Sequence, residues 1–398
     1  MLNQATKDFI EKHLSCDVQR LALQFRPEKH PDVVISEALD QIKARRKSKY
    51  KIPTWFQNSE VIYPPLLSLE QSSSEITAKY KASLLSGNTF IDLTGGFGVD
   101  TAFIAERFAK VTYLEKHNHL VKLASHNFDV LGLNHIETVC CDNVEYLQKA
   151  NPVDTVYIDP ARRSCSGEKM FLLHDCEPDL VKIQDLLLQK ADTVLIKLSP
   201  MLDIRSAINT LKNIAEIHVV SVHNENKELL FLLKKKAGYS IPVFCVNLDK
   251  DDSQTDCFSY EEESKAEISH AKELKTYLYE PNASLMKAGF YKSIALKYGV
   301  EKLHVNSHLY TSSELNPNFP GRIFEILSIS SMNKRDLKEK IQSERNVHLT
   351  VRNFPLSVEE LRKKLNMKEG GQSCLFATTL SDEKRVIIKT KQIFKDRN

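Results

Sequence analysis

The 398-residue sequence has no Cys-x-x-Cys pair, and its eight cysteines, at 16, 140, 141, 165, 176, 245, 257 and 374, match no histidine spacing of a metal site. They read as reduced thiols, and neither a disulfide framework nor a metal centre is expected. No apolar run approaches the length of a membrane span, and Met1 to Asp8 lack the basic start and apolar stretch of a signal peptide. A cytoplasmic location without a membrane partner is therefore expected. Neither sign of charge dominates: a net charge of +3 is too small to imply a nucleic-acid partner by itself, so any basic surface must be local. There is one tryptophan, and no internal repeat. What is present is ordinary globular material, 42% hydrophobic and 27% charged, in a chain long enough for two or three domains.

Residues 1–85 read as helices, because Ile10 and Leu14, Leu21 and Phe25, and Ile35, Leu39 and Ile42 recur at helical spacing. A basic run follows (Lys43, Arg45, Arg46, Lys47, Lys49, Lys51) beside Tyr50 and Trp55. It is either a grip for phosphates and bases or a solvated helix end. Ser72 and Glu75 fit a capping box opening a helix on Ile76, Tyr80 and Leu84. From 88 to 235 strands and helices alternate, with strands expected near 88–93, 110–115, 136–141, 154–159, 193–198, 216–222 and 228–235. Helical crossovers require parallel strands, whereas the short gap at Asn224 to Lys227 requires an antiparallel hairpin. Beyond a strand-like Pro242 to Leu248, the acidic stretch from Asp249 to Glu263 reads as a linker or long loop. A helix from Asn282 to Tyr298 among strands, then a last α+β piece from Val347 to Lys391, complete the chain.

The strongest local signal is Phe90-Ile-Asp-Leu-Thr-Gly-Gly-Phe-Gly-Val-Asp-Thr101, a strand running into a glycine turn and a helix start. Such a turn brings backbone close to a ligand. The dinucleotide fingerprint would place a third glycine where Thr101 stands. Open α/β sheets bind ligands at the carboxyl ends of their strands, so each strand end matters. Asp92, Thr94, Gly95, Gly96 and Gly98 follow strand one, Glu115 ends strand two where an acid meets a ribose, and Asp142 with Asn143 follows strand three, where an adenine amino group can be accepted. Each acid alone is also a plausible helix cap or loop residue; together they describe an adenosine site. Strand four ends in Asp159-Pro160-Ala161-Arg162-Arg163, an acid beside a rigid proline with two arginines able to clamp a phosphate, and strand five ends at Lys197. Cys165 lies neither in a Pro-Cys at a strand end nor after strand five, and reads as a plain thiol.

These strand-end motifs resemble those of class I S-adenosylmethionine methyltransferases. More narrowly the chain resembles a bacterial methyltransferase family with a THUMP-like C-terminal domain, through Leu69 to Glu75, Asp159 to Arg163, Lys227 to Leu230, Tyr279 to Gly289 and Val351 to Leu356. The resemblance implies an α/β fold: a Rossmann-like seven-stranded core (86–239) behind a helical N-terminal domain (1–85), with small α+β units, ferredoxin-like (240–329) and THUMP-like (330–398). It implies S-adenosylmethionine as cofactor, held by Asp92, Thr94, Gly95, Gly96, Gly98, Glu115, Asp142 and Asn143. The expected activity is methylation of a base nitrogen in an RNA, with Asp159, Pro160, Arg162 and Lys197 at the transfer site. In the usual turn of this class a glycine stands where this chain has Thr94. Two alternatives stay open: ribose 2′-hydroxyl methylation by Lys79 or Lys81, Asp159, Lys197 and Glu225 or Glu228, and a non-catalytic RNA-binding protein that uses residues 43–51 and the C-terminal unit. A dehydrogenase is disfavoured by Thr101 and the Asp159 to Arg163 motif.

Overall fold

The computed structural model describes residues 2–162, 173–250, 253–341 and 345–393. The chain divides into two compact units, one of residues 1–215 with 229–238, the other of residues 216–228 with 239–398.

The first unit opens with helices Gln4–His13, Val18–Gln24, Ile35–Lys51, Pro53–Phe56, Leu66–Gln71 and Glu75–Ser83. Asn3 and Asp17 cap the first two by accepting from Thr6 and Arg20 N–H. Of the helical-period residues, Ile10, Ile42, Leu21, Phe25 and Ile35 meet in one cluster with Phe9 and Ala38, whereas Leu14 and Leu39 are not part of it. Two expectations change here. The basic run is not a single solvated face: Arg45 is buried against Glu11, Arg46 donates to the carbonyls of Leu14 and Cys16, and Lys47 pairs with Glu70 at 3.3 Å. Trp55 is a core residue, 2% exposed, set edge-on to Phe97 with centroids 5.1 Å apart. A buried indole cannot stack on a base. Nor does Ser72 open a capping box: its hydroxyl donates back to Leu69 O and closes the preceding helix, while Ser74 accepts from Thr77 N–H and Glu75 accepts from Thr54.

Strands then follow as β1 (Thr89–Asp92), β2 (Lys110–Glu115), β3 (Ile136–Cys140), β4 (Val153–Ile158), the two-residue β5 (Ala161–Arg162) and β6 (Cys176–Glu177), β7 (Ala191–Leu198), β8 (Ile214–Val222), β9 (Glu225–Lys234), β10 (Val243–Leu248) and β11 (Gln254–Phe258). Apart from β5 and β6, which pair with each other, they form one sheet in the order β11-β10-β8-β9-β7-β4-β1-β2-β3. β3, β2, β1, β4 and β7 are mutually parallel, and β9 runs antiparallel to β7. The expected seven-stranded core with an antiparallel last strand is therefore present. His223 and Asn224, with φ of 49° and 63°, make the tight β8–β9 turn, a conformation that two-residue hairpins favour.

In the second unit the acidic stretch is not a linker. β11 pairs antiparallel with β10, and a helix at Tyr260–Lys265 begins in a capping box of Ser259 and Glu262. The buried Glu263 accepts from the Lys292 and Ser293 backbone and from the Ser293 hydroxyl, which explains an acidic residue here better than solvation does. A second sheet contains β12 (Tyr277–Pro281), β13 (Glu301–Lys302), β14 (Tyr310–Ser312), β15 (Gly321–Ser331), β16 (His348–Arg352), β17 (Cys374–Thr379) and β18 (Arg385–Ile393), in the order β13-β14-β12-β15-β18-β17-β16. The helix expected over 282–298 is two helices, Ala283–Ala288 and Tyr291–Tyr298, because Gly289 turns left-handed at φ 82° and ends the first. Glu280, buried at the end of β12, accepts from Arg322 Nε at 2.9 Å and Arg352 Nη2 at 2.8 Å, fastening β12 to β15 and β16.

Candidate active site

The turn after β1 is tied to every neighbouring strand end. Leu93 N–H donates to Tyr157 O at 3.0 Å and Gly95 N–H to Leu114 O at 2.9 Å, while Asn143 Nδ2 donates to Leu93 O at 2.9 Å. Inside the turn, Asp92 accepts from Thr94 N–H at 2.9 Å and from the Thr101 hydroxyl at 2.5 Å. Thr101, where a dinucleotide site would have glycine, thus locks the helix start onto the strand. The Thr94 hydroxyl in turn accepts from Asp159 N–H at 2.6 Å, a bond a glycine could not make. Both departures from the usual glycine pattern are hydroxyls that position acids.

The glycines have separate reasons. A Cβ at Gly95 would overlap the Tyr113 ring, and one at Gly98, φ 85°, would come within 2.8 Å of Phe128. At Gly96, φ 54°, only Thr94 O at 3.8 Å lies near among the described residues, so its backbone is approachable. Tyr113 OH donates to Gly96 O at 2.5 Å, so the ring that excludes a side chain at Gly95 also holds Gly96. Gly95→Ala must displace that ring; overpacking of this kind costs about 1–3 kcal/mol. We expect a lower urea midpoint together with weakened S-adenosylhomocysteine binding in calorimetry.

Glu115 Oε2 accepts from Gly96 N–H at 3.1 Å and its Oε1 from His117 N–H at 2.9 Å, which fixes the carboxylate at the rim of the turn. Asp142 Oδ1 accepts from Val144 and Glu145 N–H at 3.0 and 2.9 Å and so caps the helix Asn143–Lys149. Asn143 serves as a fastener of the turn through its bond to Leu93. Asp159 Oδ2 lies 2.5 Å from Lys197 Nζ. Arg162 is placed by its backbone opposite Cys176 in the β5–β6 ladder; Arg163 and Cys165 lie outside the described residues. The turn, Glu115, Asp142, Asn143, Asp159 and Pro160 line one cleft of about 790 Å³, within the range of cofactor sites. Lys197 reaches it through Asp159, being 13% exposed. Of the lysines proposed for ribose chemistry, Lys79 is drawn to Glu75 at 2.6 Å and Lys81 to Asp100 at 3.2 Å. Glu225 pairs with Lys227 and Glu228 is buried.

Sequence reasoning missed a further carboxylate in the same cleft. Asp100, in the first turn of the helix Val99–Ala105, accepts from Ser73 Oγ and Tyr157 OH, both at 2.7 Å. The signal was the acid two residues past Gly98. Burial would raise its carboxyl, but Lys81, Lys197 and the two hydroxyls together hold it below the ordinary range. Asp92 goes the other way: burial, only partly offset by Thr101 and Thr94 and reinforced by the charges of Asp100 and Asp159, pushes it up to about 7. Its folded pKa exceeds the unfolded value near 4, so its contribution to stability is full at low pH and is lost as pH rises through about 7. Asp92→Asn, which keeps an acceptor for Thr94 without the charge, should raise the urea midpoint relative to wild type at alkaline pH, and the two should converge in acid.

An adenosine cofactor fits these groups: an approachable glycine backbone, a fixed acid at the β2 end and a further acid at the β3 end share one cleft. Among the described residues no cluster of three or more His, Cys, Asp or Glu is placed to hold a metal ion, and no helix is long and apolar enough to cross a membrane.

The sheet order and the strand-end cleft define a class I methyltransferase fold. A ferredoxin-like domain model matches residues 277–320 and a THUMP domain-like model residues 321–391. The structure of the "putative methyltransferase from Porphyromonas gingivalis W83" is similar over 98% of both chains, at 32% identity and a TM-score of 0.87. This chain belongs to the family of that protein. An rRNA methylase from Streptococcus thermophilus is similar over 40% of this chain and 95% of its own, at 17% identity and a TM-score of 0.29. TrmK of M. capricolum, in complex with S-adenosylhomocysteine, is similar over 40% of this chain and 68% of its own, at 12% identity and a TM-score of 0.31. No curated protein matches the chain.

Proposed function

We propose that this protein is an S-adenosylmethionine-dependent methyltransferase that methylates a base nitrogen of an RNA. The observation that carries the proposal is the convergence of four strand ends on one cleft, with the glycine turn and Glu115 on one side and Asp159–Pro160 on the other. Asp92, Thr94, Gly95 and Gly98 would shape the cofactor cradle, Gly96 would bring its backbone to the ligand, Glu115 would take the ribose hydroxyls, and Asp142 with Asn143 would frame the adenine. Bound S-adenosylmethionine supplies an electrophilic methyl group. The chain's own part is to align the acceptor nitrogen and take its proton. Asp159 is suited to that: its side chain is 38% exposed and is oriented by Lys197 from behind. The Pro160 carbonyl, on a rigid backbone, can accept a second N–H of the base, and Arg162 is offered as a phosphate clamp.

RNA as acceptor rests on the THUMP-like segment. We assign cofactor and transfer chemistry to residues 86–239 behind the lead-in of 1–85, and RNA handling to segments 240–329 and 330–398. Calorimetry with S-adenosylhomocysteine tests the cofactor. A hydrogen bond to a charged group is worth about 1.5–3 kcal/mol, so Glu115→Ala should weaken binding by about 10- to 100-fold. No binding by the wild type, or equal binding by the variant, sinks the assignment. Mass spectrometry of nucleosides from wild-type and deletion cells then identifies the mark: a missing base methylation supports the proposal, and a missing 2′-O-methyl moves it to the ribose.

A further inference from the structure

We infer that Asp100 is a positioning residue of the transfer site, through which the helical lead-in fixes Asp159. The inference rests on the methyl-transfer reading above and adds residues that reading does not use.

Asp100 is gripped from two sides. From the lead-in come Ser73, whose hydroxyl donates to Oδ2 at 2.7 Å, and Lys81, whose Nζ lies 3.2 Å from Oδ1 and also donates to Ser73 Oγ at 3.2 Å. Lys81 is fully buried. From the sheet come Tyr157, whose hydroxyl donates to the same Oδ2 at 2.7 Å, and Lys197, whose Nζ stands 4.0 Å from it. Both sheet-side residues lead to Asp159. Tyr157 stands near the end of β4, two positions before Asp159, and lines the same cleft, and Lys197 binds Asp159 Oδ2 at 2.5 Å. The four charges alternate in sign, Lys81, Asp100, Lys197, Asp159, so each neighbour along the row attracts. Only the last of them is substantially exposed, at 38%.

A buried pair needed only for stability has no reason to reach the cleft. Ser73, Asp100 and Tyr157 all line it beside Asp159. The arrangement also gives the Leu69 to Glu75 motif a purpose that neither the cofactor cradle nor the fold of the core requires: it places Ser73, and the helix it precedes brings Lys81. Without the Asp100 carboxylate, Lys197 loses one of its anionic neighbours and Tyr157 its charged partner, so the ammonium that holds the Asp159 carboxylate is placed less firmly. A displacement of about 1 Å at a reacting group costs on the order of 10²-fold in rate.

The test uses Asp100→Asn combined with Lys81→Met, which removes both buried charges together and so avoids leaving one uncompensated. Methyl transfer from labelled S-adenosylmethionine to RNA from deletion cells should show kcat lower by on the order of 10²-fold, with KM for S-adenosylmethionine and the affinity for S-adenosylhomocysteine unchanged. A crystal structure of the variant should show the Lys197–Asp159 contact displaced. Wild-type kcat in the double variant overturns the inference, as does a loss of kcat fully matched by a loss of cofactor affinity. If the wild type itself transfers no methyl group, the methyl-transfer reading falls separately. The variant's crystal structure then decides alone, and an unmoved Lys197–Asp159 contact overturns the positioning role.

Discussion

Asp159→Ala should lower turnover by about 10²- to 10⁴-fold, the range for losing a positioned general base, while leaving S-adenosylhomocysteine affinity near that of the wild type. The separation follows from where Asp159 is tied. Its side chain contacts Lys197, whereas its attachment to the turn runs through its backbone N–H to the Thr94 hydroxyl. Truncation to alanine keeps that backbone bond, and with it the strand end that shapes the cradle. Asp159→Asn keeps size and shape, but its amide cannot take a proton; it should be nearly as impaired as alanine. Rate and binding are read on the same preparations, by label transfer to RNA and by calorimetry. Substantial turnover in Asp159→Asn would remove the proton-accepting role and leave Asp159 only an orienting one. Parallel loss of cofactor affinity in both variants would move Asp159 into the cofactor site.

Much of this site was legible in the sequence because its residues sit at strand ends, and strand ends follow from apolar runs bounded by turn residues. Glu115, Asp142 and Asp159 were located in this way, one strand at a time. Asp100 was not, since it belongs to a helix start and its partners Ser73, Lys81 and Tyr157 come from a loop, another helix and a strand; nothing local announces a contact across 27 residues such as Ser73 to Asp100. The same limit explains Trp55 and Arg45. Their neighbours in sequence are basic and aromatic, the composition of a nucleic-acid grip, whereas Phe97 and Glu11, which bury them, are distant in the chain. The acidic stretch at 249–263 was misread for a different reason. Composition spoke for a loop, but the Ser259-x-x-Glu262 cap was present in the sequence and is the more specific physical signal. Where a local motif and a composition conflicted, the motif prevailed.

The largest expected effect on stability is at Lys81. Lys81→Met retains the length and apolar stem of the side chain but leaves Asp100 buried without its nearest cation, and breaking a buried pair from one side costs about 3–5 kcal/mol. Denaturation in urea at neutral pH should show this as a lower midpoint without a change of slope. The sign of its pH dependence distinguishes it from a packing defect. In the wild type the Asp100 carboxyl is held below its ordinary range despite burial, by Lys81 and then Lys197, so it adds stability at neutral pH that is lost only as pH falls through its depressed pKa. With Lys81 gone, the raising effect of burial is less opposed, and the carboxyl takes up a proton more readily in the folded state. The variant should therefore recover toward the wild type as pH is lowered, whereas a cavity or a clash would cost the same at every pH. Adding Asp100→Asn to Lys81→Met should restore most of the neutral-pH loss, because the uncompensated charge is then removed. Equal destabilisation of the single and double variants across the pH range would show that Lys81 matters for its packing, and the charge pairing with Asp100 would no longer account for its burial.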